Sequence, residues 1–257
     1  MNNIIDSIRN DPKKVLIGKG GYGNIYTSPS MSIHCIKVSN KKFTNSSSRE
    51  WCNEYVKIKK LLSNLKLHNK NFITSTVEIL EPLYYIEHDD DDCFMVTKRI
   101  IRPDNGCTNT IQAQFGKLQD NTTHEGRGQF LGMKEIRELI DCNNINDSVR
   151  DLGMMMGYIH YYGKNDAYDI ELFMGKTADD KIIKFFLSDF DLSETIEIYD
   201  KITINRMIWA LNAIPYFPIS SVNKKLYDIF AEAYRKVAEE VGYLNVANEV
   251  LQLYDDQ

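Results

Sequence analysis

The chain has 257 residues, 43% of them hydrophobic and 26% charged, with a formal net charge of -5. That length lets one large domain or two small ones bury a core without disulfide or metal staples. There is no apolar run of roughly eighteen residues, so no transmembrane helix is expected, and the opening MNNIIDSIRNDPKK lacks the apolar stretch of a signal peptide. The cysteines (Cys35, Cys52, Cys93, Cys107, Cys142) form no C-x-x-C, and the histidines form no paired spacing, which argues against a disulfide framework and against zinc. An acidic chain is not an obvious polyanion binder, so nucleic acid is an unlooked-for partner, and an intracellular location is expected.

The first hundred residues read as short strands around one helix. Strands are predicted at 14–18 and 24–28, flanking a glycine turn, and at 31–38. A helix is predicted over 46–65, because Trp51, Tyr55, Ile58, Leu62 and Leu65 recur at helical spacing, and Ser47 with Glu50 fits a capping box. Strands at 83–87 and 93–100 follow, joined by the acidic tip Asp89–Asp92, which lacks the glycine and span of a calcium loop. Residues 103–132 are polar and glycine-punctuated and read as a loop or insertion.

The remainder, 133–257, reads as mostly helical. Helices are predicted at 133–141, at 147–162 with Asp147 as cap, and near 201–213, 223–241 and 243–254. A hairpin is predicted from 171–176 and 181–190. His160 reads as a core histidine, Met154, Met155 and Met156 as core, Lys57, Lys59 and Lys60 as a solvated helix face, and Trp209, Tyr216 and Phe217 as a seal.

Four features carry chemistry. Gly18-Lys19-Gly20-Gly21-Tyr22-Gly23 is a G-x-G-x-x-G in which a strand follows the glycines, where a dinucleotide fold would place a helix. That order favours a glycine hairpin lying over a nucleotide, against a merely glycine-rich turn. Lys37 lies between apolar strand positions, where burial is costly without a partner, and Glu54 lies beside the apolar stripe of the helix. The two are expected to pair. Asp189 closes the apolar strand Phe185-Phe186-Leu187, a suitable position for a metal ligand. The run Asp166-Ala167-Tyr168-Asp169-Ile170-Glu171 offers carboxylates for a base and a second ligand.

This order of glycine hairpin, I-K strand, helix Glu, strand pair, helix, acidic run and D-F-x resembles the protein-kinase-like fold over nearly the whole chain. The resemblance implies an α+β, two-lobed architecture: an N-lobe over 1–102 (a five-strand antiparallel sheet with one helix), an insertion over 103–132, and a reduced helical C-lobe over 133–257. It further implies ATP and Mg²⁺ as cofactors. Gly18, Gly20, Gly21 and Gly23 would cover the phosphates and Lys37 would contact them while pairing with Glu54. Lys98 and Ile100 would lie where the strand enters the adenine-contacting hinge, Asp169 would be the catalytic base, and Asp189 and Glu171 the metal ligands.

The segments Thr97–Ile100, Gly128–Gly132, Asn165–Gly175, Leu187–Asp191 and Pro215–Pro218 also resemble, in order, a mostly fungal family of uncharacterised proteins often labelled zinc-finger proteins, which shares a D-A-x-D-[IV]-E-[FL]-x-x-G run and then D-F-[ND]. The Asn- and Ile-rich composition fits a viral or protist origin. Against the kinase pattern, Tyr168 replaces the Arg of H-R-D, Ile170 and Glu171 follow Asp169 directly so that no Asn stands in the metal position, which Glu171 would fill, Asp191 replaces the glycine of D-F-G, and no A-P-E occurs. Two functions follow from the resemblance: an atypical ATP/Mg-dependent phosphotransferase with an unspecified acceptor, or an inactive pseudokinase that binds nucleotide or protein.

Overall fold

A computed structural model describes residues 7–8, 10–19, 23–29, 33–39, 47–68, 74–87, 93–103, 111–118, 123–124, 128–140, 142–213 and 215–256. Gly20, Gly21 and the acidic tip Asp89–Asp92 lie outside them. The alternating and β-branched N-terminal segments form β1 (Val15–Lys19), β2 (Gly23–Thr27), β3 (His34–Ser39), β5 (Pro82–Glu87) and β6 (Cys93–Lys98). These make one sheet in the order β1-β2-β3-β6-β5, every neighbouring pair antiparallel. The amphipathic segment becomes helix α1 (Ser47–Leu67). Its Tyr55 ring stacks on Tyr85 of β5 at 5.2 Å, while Ile58, Leu61 and Leu65 are buried elsewhere, in the main core.

A second sheet has the order β4-β11-β10-β7-β9-β8, built from β4 (Val77–Ile79), β7 (Ile111–Gln114), β8 (Thr123–His124), β9 (Gly128–Gly132), β10 (Glu171–Gly175) and β11 (Lys184–Ser188). The expected hairpin is present as β10 and β11, with Glu171 opposite Ser188. The stretch expected as a polar loop supplies three strands of this sheet: β7 pairs with β10, and β9 pairs with β7 in parallel. The alternation of buried Ile111, Ala113 and Phe115 with Gln112 and Gln114 suits a strand. Its polar side chains hid the pattern, because Gln112 and Gln114 are themselves buried.

The helices are α2 (Met133–Leu139), α3 (Cys142–Gly157), α4 (Lys201–Asn212), α5 (Ser220–Glu240) and α6 (Leu244–Asp255). α3 begins before Asp147, which is no cap: it lies within the helix and pairs with Arg150 at 2.5 Å. Its C-terminal continuation, Tyr158–Tyr162, is π-helical. α3 and α5 approach closely because Gly153 and Gly157 face α5. A methyl group at Gly153 would lie 2.3 Å from the Phe230 carbonyl, and one at Gly157 would lie 2.8 Å from Val237 Cβ. Asp200 caps α4 by accepting from the Thr203 amide at 2.8 Å. Met155, Met156, Tyr216 and Phe217 are buried as expected, but Trp209 is 40% exposed. The connection between the sheets is clasped to β10 by paired hydrogen bonds between Ile101 and Lys176 at 2.6 and 2.9 Å. Among the described residues no helix is long and apolar enough to cross a membrane.

Candidate functional site

The two sheets meet at Lys37. Its position on β3 opposite Met95 and Ile25 aims the ammonium out of the first sheet toward the second. The Nζ donates to Glu54 Oε2 at 2.8 Å and to Asp189 Oδ1 at 2.6 Å. Burial works against the lysine's charge, but Asp189, then Glu54 and Asp191, hold its pKa above the ordinary value. The side chain of Glu54 is only 2% exposed. Burial raises its pKa against the pull of Lys37; its Oε1 makes no hydrogen bond of ordinary geometry, and the Phe190 amide reaches the carboxylate only as a weaker electrostatic contact.

Three further carboxylates surround this pair. Glu171 enters from β10, its pKa pushed up to about 8 by burial and by the charges of Asp189 and Asp169, with Lys37 and a hydrogen bond from Gln112 opposing. Gln112 is held in place by the Tyr216 hydroxyl, which donates to its Oε1 at 2.7 Å. Asp191 is pushed up to about 7 by burial and by Asp189 and Glu54. Asp169 is half-buried and contributes to the field at Glu171. The cluster thus holds more negative than positive charge, so Glu54, Glu171 and Asp191 resist ionising.

The backbone here is strained. Among the described residues, the four non-glycine residues with positive φ lie in the two loops that present these groups: Lys164 (52°), Ala167 (54°), Asp169 (64°) and Asp189 (66°). Left-handed geometry at non-glycine residues persists only where its surroundings impose it, and it concentrates at functional sites. Asp166 imposes part of it. Buried, it accepts from the Tyr168 amide at 3.1 Å and the Glu194 amide at 2.8 Å, and it pairs with Arg206 of α4. Arg206 also lies over the Tyr168 ring at 4.3 Å, and Trp209 stacks on that ring at 4.1 Å. Asp166, read as a candidate base or metal ligand, is instead an anchor.

Of the three lysines expected to form a solvated face, Lys57 and Lys60 reach from α1 to the loop after Asp189. Lys57 donates to the Asp191 carbonyl and Lys60 to the Thr195 hydroxyl at 3.1 Å, while Lys59 pairs with Glu81 at 2.7 Å. Asn64 adds a bond to the Gly163 carbonyl at 3.0 Å. Lys98 points away from the cluster and pairs with exposed Asp179 at 2.8 Å. Ile100 packs against Gly175, where a methyl group would lie 2.5 Å from its Cγ2. Gly18 sits at a register shift in the β1–β2 ladder, close to Ile25, and Gly23 begins β2. His160 is fully buried. Its Nδ1 lies 2.7 Å from the Tyr234 hydroxyl, and burial lowers its pKa to about 3, so it is a core residue as read from the sequence.

Among the described residues no three histidine, cysteine or carboxylate side chains converge closely enough to enclose a metal ion. Magnesium needs no such cage: it takes one or two carboxylates and completes its shell with water and phosphate oxygens. Glu171 and Asp189 fit that requirement, because their mutual repulsion is what a divalent cation would relieve.

No protein-family model matches the chain, and no curated protein matches its sequence. Among solved structures it is similar to the kinase domain of PknI from Mycobacterium tuberculosis, a double mutant, at 11% identity over 95% of each chain with a TM-score of 0.42.

Proposed function

We propose that this chain is a two-lobed, kinase-like phosphotransferase that uses ATP and magnesium. The lobes are 1–102 and a reduced helical 133–257, with 103–132 inserted between them. One observation carries the reading: Lys37 of the first sheet bridges Glu54 of α1 and Asp189 beyond the second sheet. An ammonium held between two carboxylates is fixed in position, as a group that orients a phosphate must be. Gly18 and Gly23 would frame the loop over the phosphates, and Lys98 and Ile100 would stand near the base. Asp189 and Glu171 would hold the metal, which supplies neutralisation of the phosphate charge. Asp169 would take the acceptor hydroxyl's proton as the acceptor oxygen bonds to the γ-phosphorus and the bond to the β-phosphate oxygen breaks, releasing ADP.

Thermal denaturation with ATP tests this. Stabilisation is expected to require Mg²⁺ and to vanish in Asp189→Asn; no shift with any nucleotide would leave the reading without support.

A second reading, a pseudokinase that binds nucleotide or protein without transfer, is favoured by Asp191, which replaces the glycine of D-F-G, and by the lack of an Asn in the metal position. Nucleotide stabilisation independent of Mg²⁺, with no ADP formed across a broad acceptor panel, would select it.

A further inference from the structure

A cavity of about 340 Å³ opens between the C-terminal end of α1 and the start of the loop that leads to Asp169. It is lined by Asn64 and His68 of α1, Tyr161 and Tyr162 of the π-helical turn, Lys164, and Tyr243. The π turn is closed by the Gly163 amide, which donates to the Tyr158 carbonyl at 2.8 Å. Such a bulge re-aims the side chains that follow it and recurs at functional sites.

Lys164 is the cation of this cavity. Its Nζ lies 4.2 Å from the centre of the Tyr243 ring and 4.6 Å from that of Tyr199, and it donates to the Tyr199 hydroxyl at 3.2 Å. Among the described residues no carboxylate lies within ion-pair distance of it. The hydroxyls nearby are already committed: Tyr161 donates to Tyr234 at 2.9 Å and Tyr199 to the His160 carbonyl at 2.8 Å. The acidic group at the rim, Glu240, accepts from Tyr162 at 3.1 Å. A half-buried ammonium with three donors, one of them used on Tyr199, thus faces a tyrosine-walled cavity with no carboxylate of the described residues within ion-pair distance.

We infer that this cavity binds a small aromatic carboxylate, its ring against the tyrosine wall and its carboxylate on Lys164. The volume matches a small ligand's pocket. The rings favour a planar apolar body. One ammonium with no arginine beside it suits a single negative charge better than a phosphate's two. The occupant would brace α1, which carries Glu54, against the loop that carries Asp169. The site stands apart from the nucleotide reading and does not depend on it.

Isothermal titration of the full chain with benzoate tests the assignment, with benzylamine as the cation of the same shape and inorganic phosphate as the anion without a ring. Benzoate is expected to saturate one site, and both controls to bind at least about tenfold more weakly. Lys164→Met is expected to weaken benzoate by about tenfold, while Lys164→Arg retains it. Should Lys164→Met melt without a cooperative transition, Tyr243→Leu, which removes the ring above the ammonium, is expected to show the same loss. Lys37→Met is expected to leave benzoate binding unchanged while removing any ATP response, which separates this site from the cleft. Absence of saturable benzoate binding, equal binding of either control, or full affinity in both Lys164→Met and Tyr243→Leu would overturn the assignment.

Discussion

The first sheet and the second are packed very differently. Beneath the first, the buried apolar cluster is Ile8, Ile36, Phe94 and Val96, edged by Tyr26, Val38 and Tyr84. The second sheet and the helices share one continuous core that reaches from Ile58 on α1 to Tyr254 on α6. Helix α1 joins the two: Tyr55 stacks on Tyr85 of the first sheet, while Ile58, Leu61 and Leu65 enter the large core. The site draws its cation from β3 of the first sheet and its carboxylates from α1, from β10 and from the loop after β11. The Lys37 bridge ties the two together.

Truncation of the large core sharpens that contrast most. Phe230→Ala, at a fully buried position between α3 and the C-terminal helices, is expected to cost about 3–5 kcal/mol in denaturant unfolding. Phe94→Ala is expected to fall at the low end of that range, because a small cluster collapses more readily around the gap. Next comes the bridge itself. Lys37→Met leaves Glu54 buried without its cation and is expected to cost about 3 kcal/mol, with faster amide exchange in β1 to β3 than in α3 and α5.

A smaller effect separates the regions by pH. Glu171 titrates near 8 in the fold against an ordinary 4.5, and Asp191 near 7 against 3.8, so the native state holds extra protons in that interval. Their contribution to stability is complete below the ordinary values and is lost as pH rises through about 7 and about 8. Unfolding free energies across this window, compared with those of Glu171→Gln, are expected to show a shallower decline in the variant. The smallest effect belongs to Lys98: its exposed pair with Asp179 is expected to contribute less than about 1 kcal/mol, and Lys98→Ala to leave the melting transition nearly unmoved.

Local pattern sufficed for the elements of the first sheet, for α1 and for the β10–β11 hairpin, because each is encoded by apolar periodicity within a few residues. It also sufficed to pair Lys37 with Glu54, since a strand lysine flanked by apolar neighbours and a helix carboxylate beside an apolar stripe each need a partner. Asp189 was legible as a candidate ligand from its place at the end of an apolar strand, but its contact with Lys37 was not. Other members of the site left no such trace. Arg206 reaches Asp166 from a separate helix, and Gln112 reaches Glu171 from a stretch whose buried glutamines imitate a loop. Lys57 and Lys60 look solvated on a helical wheel and acquire partners only when the loop after Asp189 folds against them.

What the amino-acid sequence determined by itself was therefore the order of strands and helices and the residues whose charge demanded company. Tertiary structure alone decided that Asp189 joins Glu54 on Lys37, which aspartate became an anchor, and that β7 and β9 complete the second sheet. Periodicity reports burial along a single element, whereas electrostatic coupling depends on distances between elements remote in the chain.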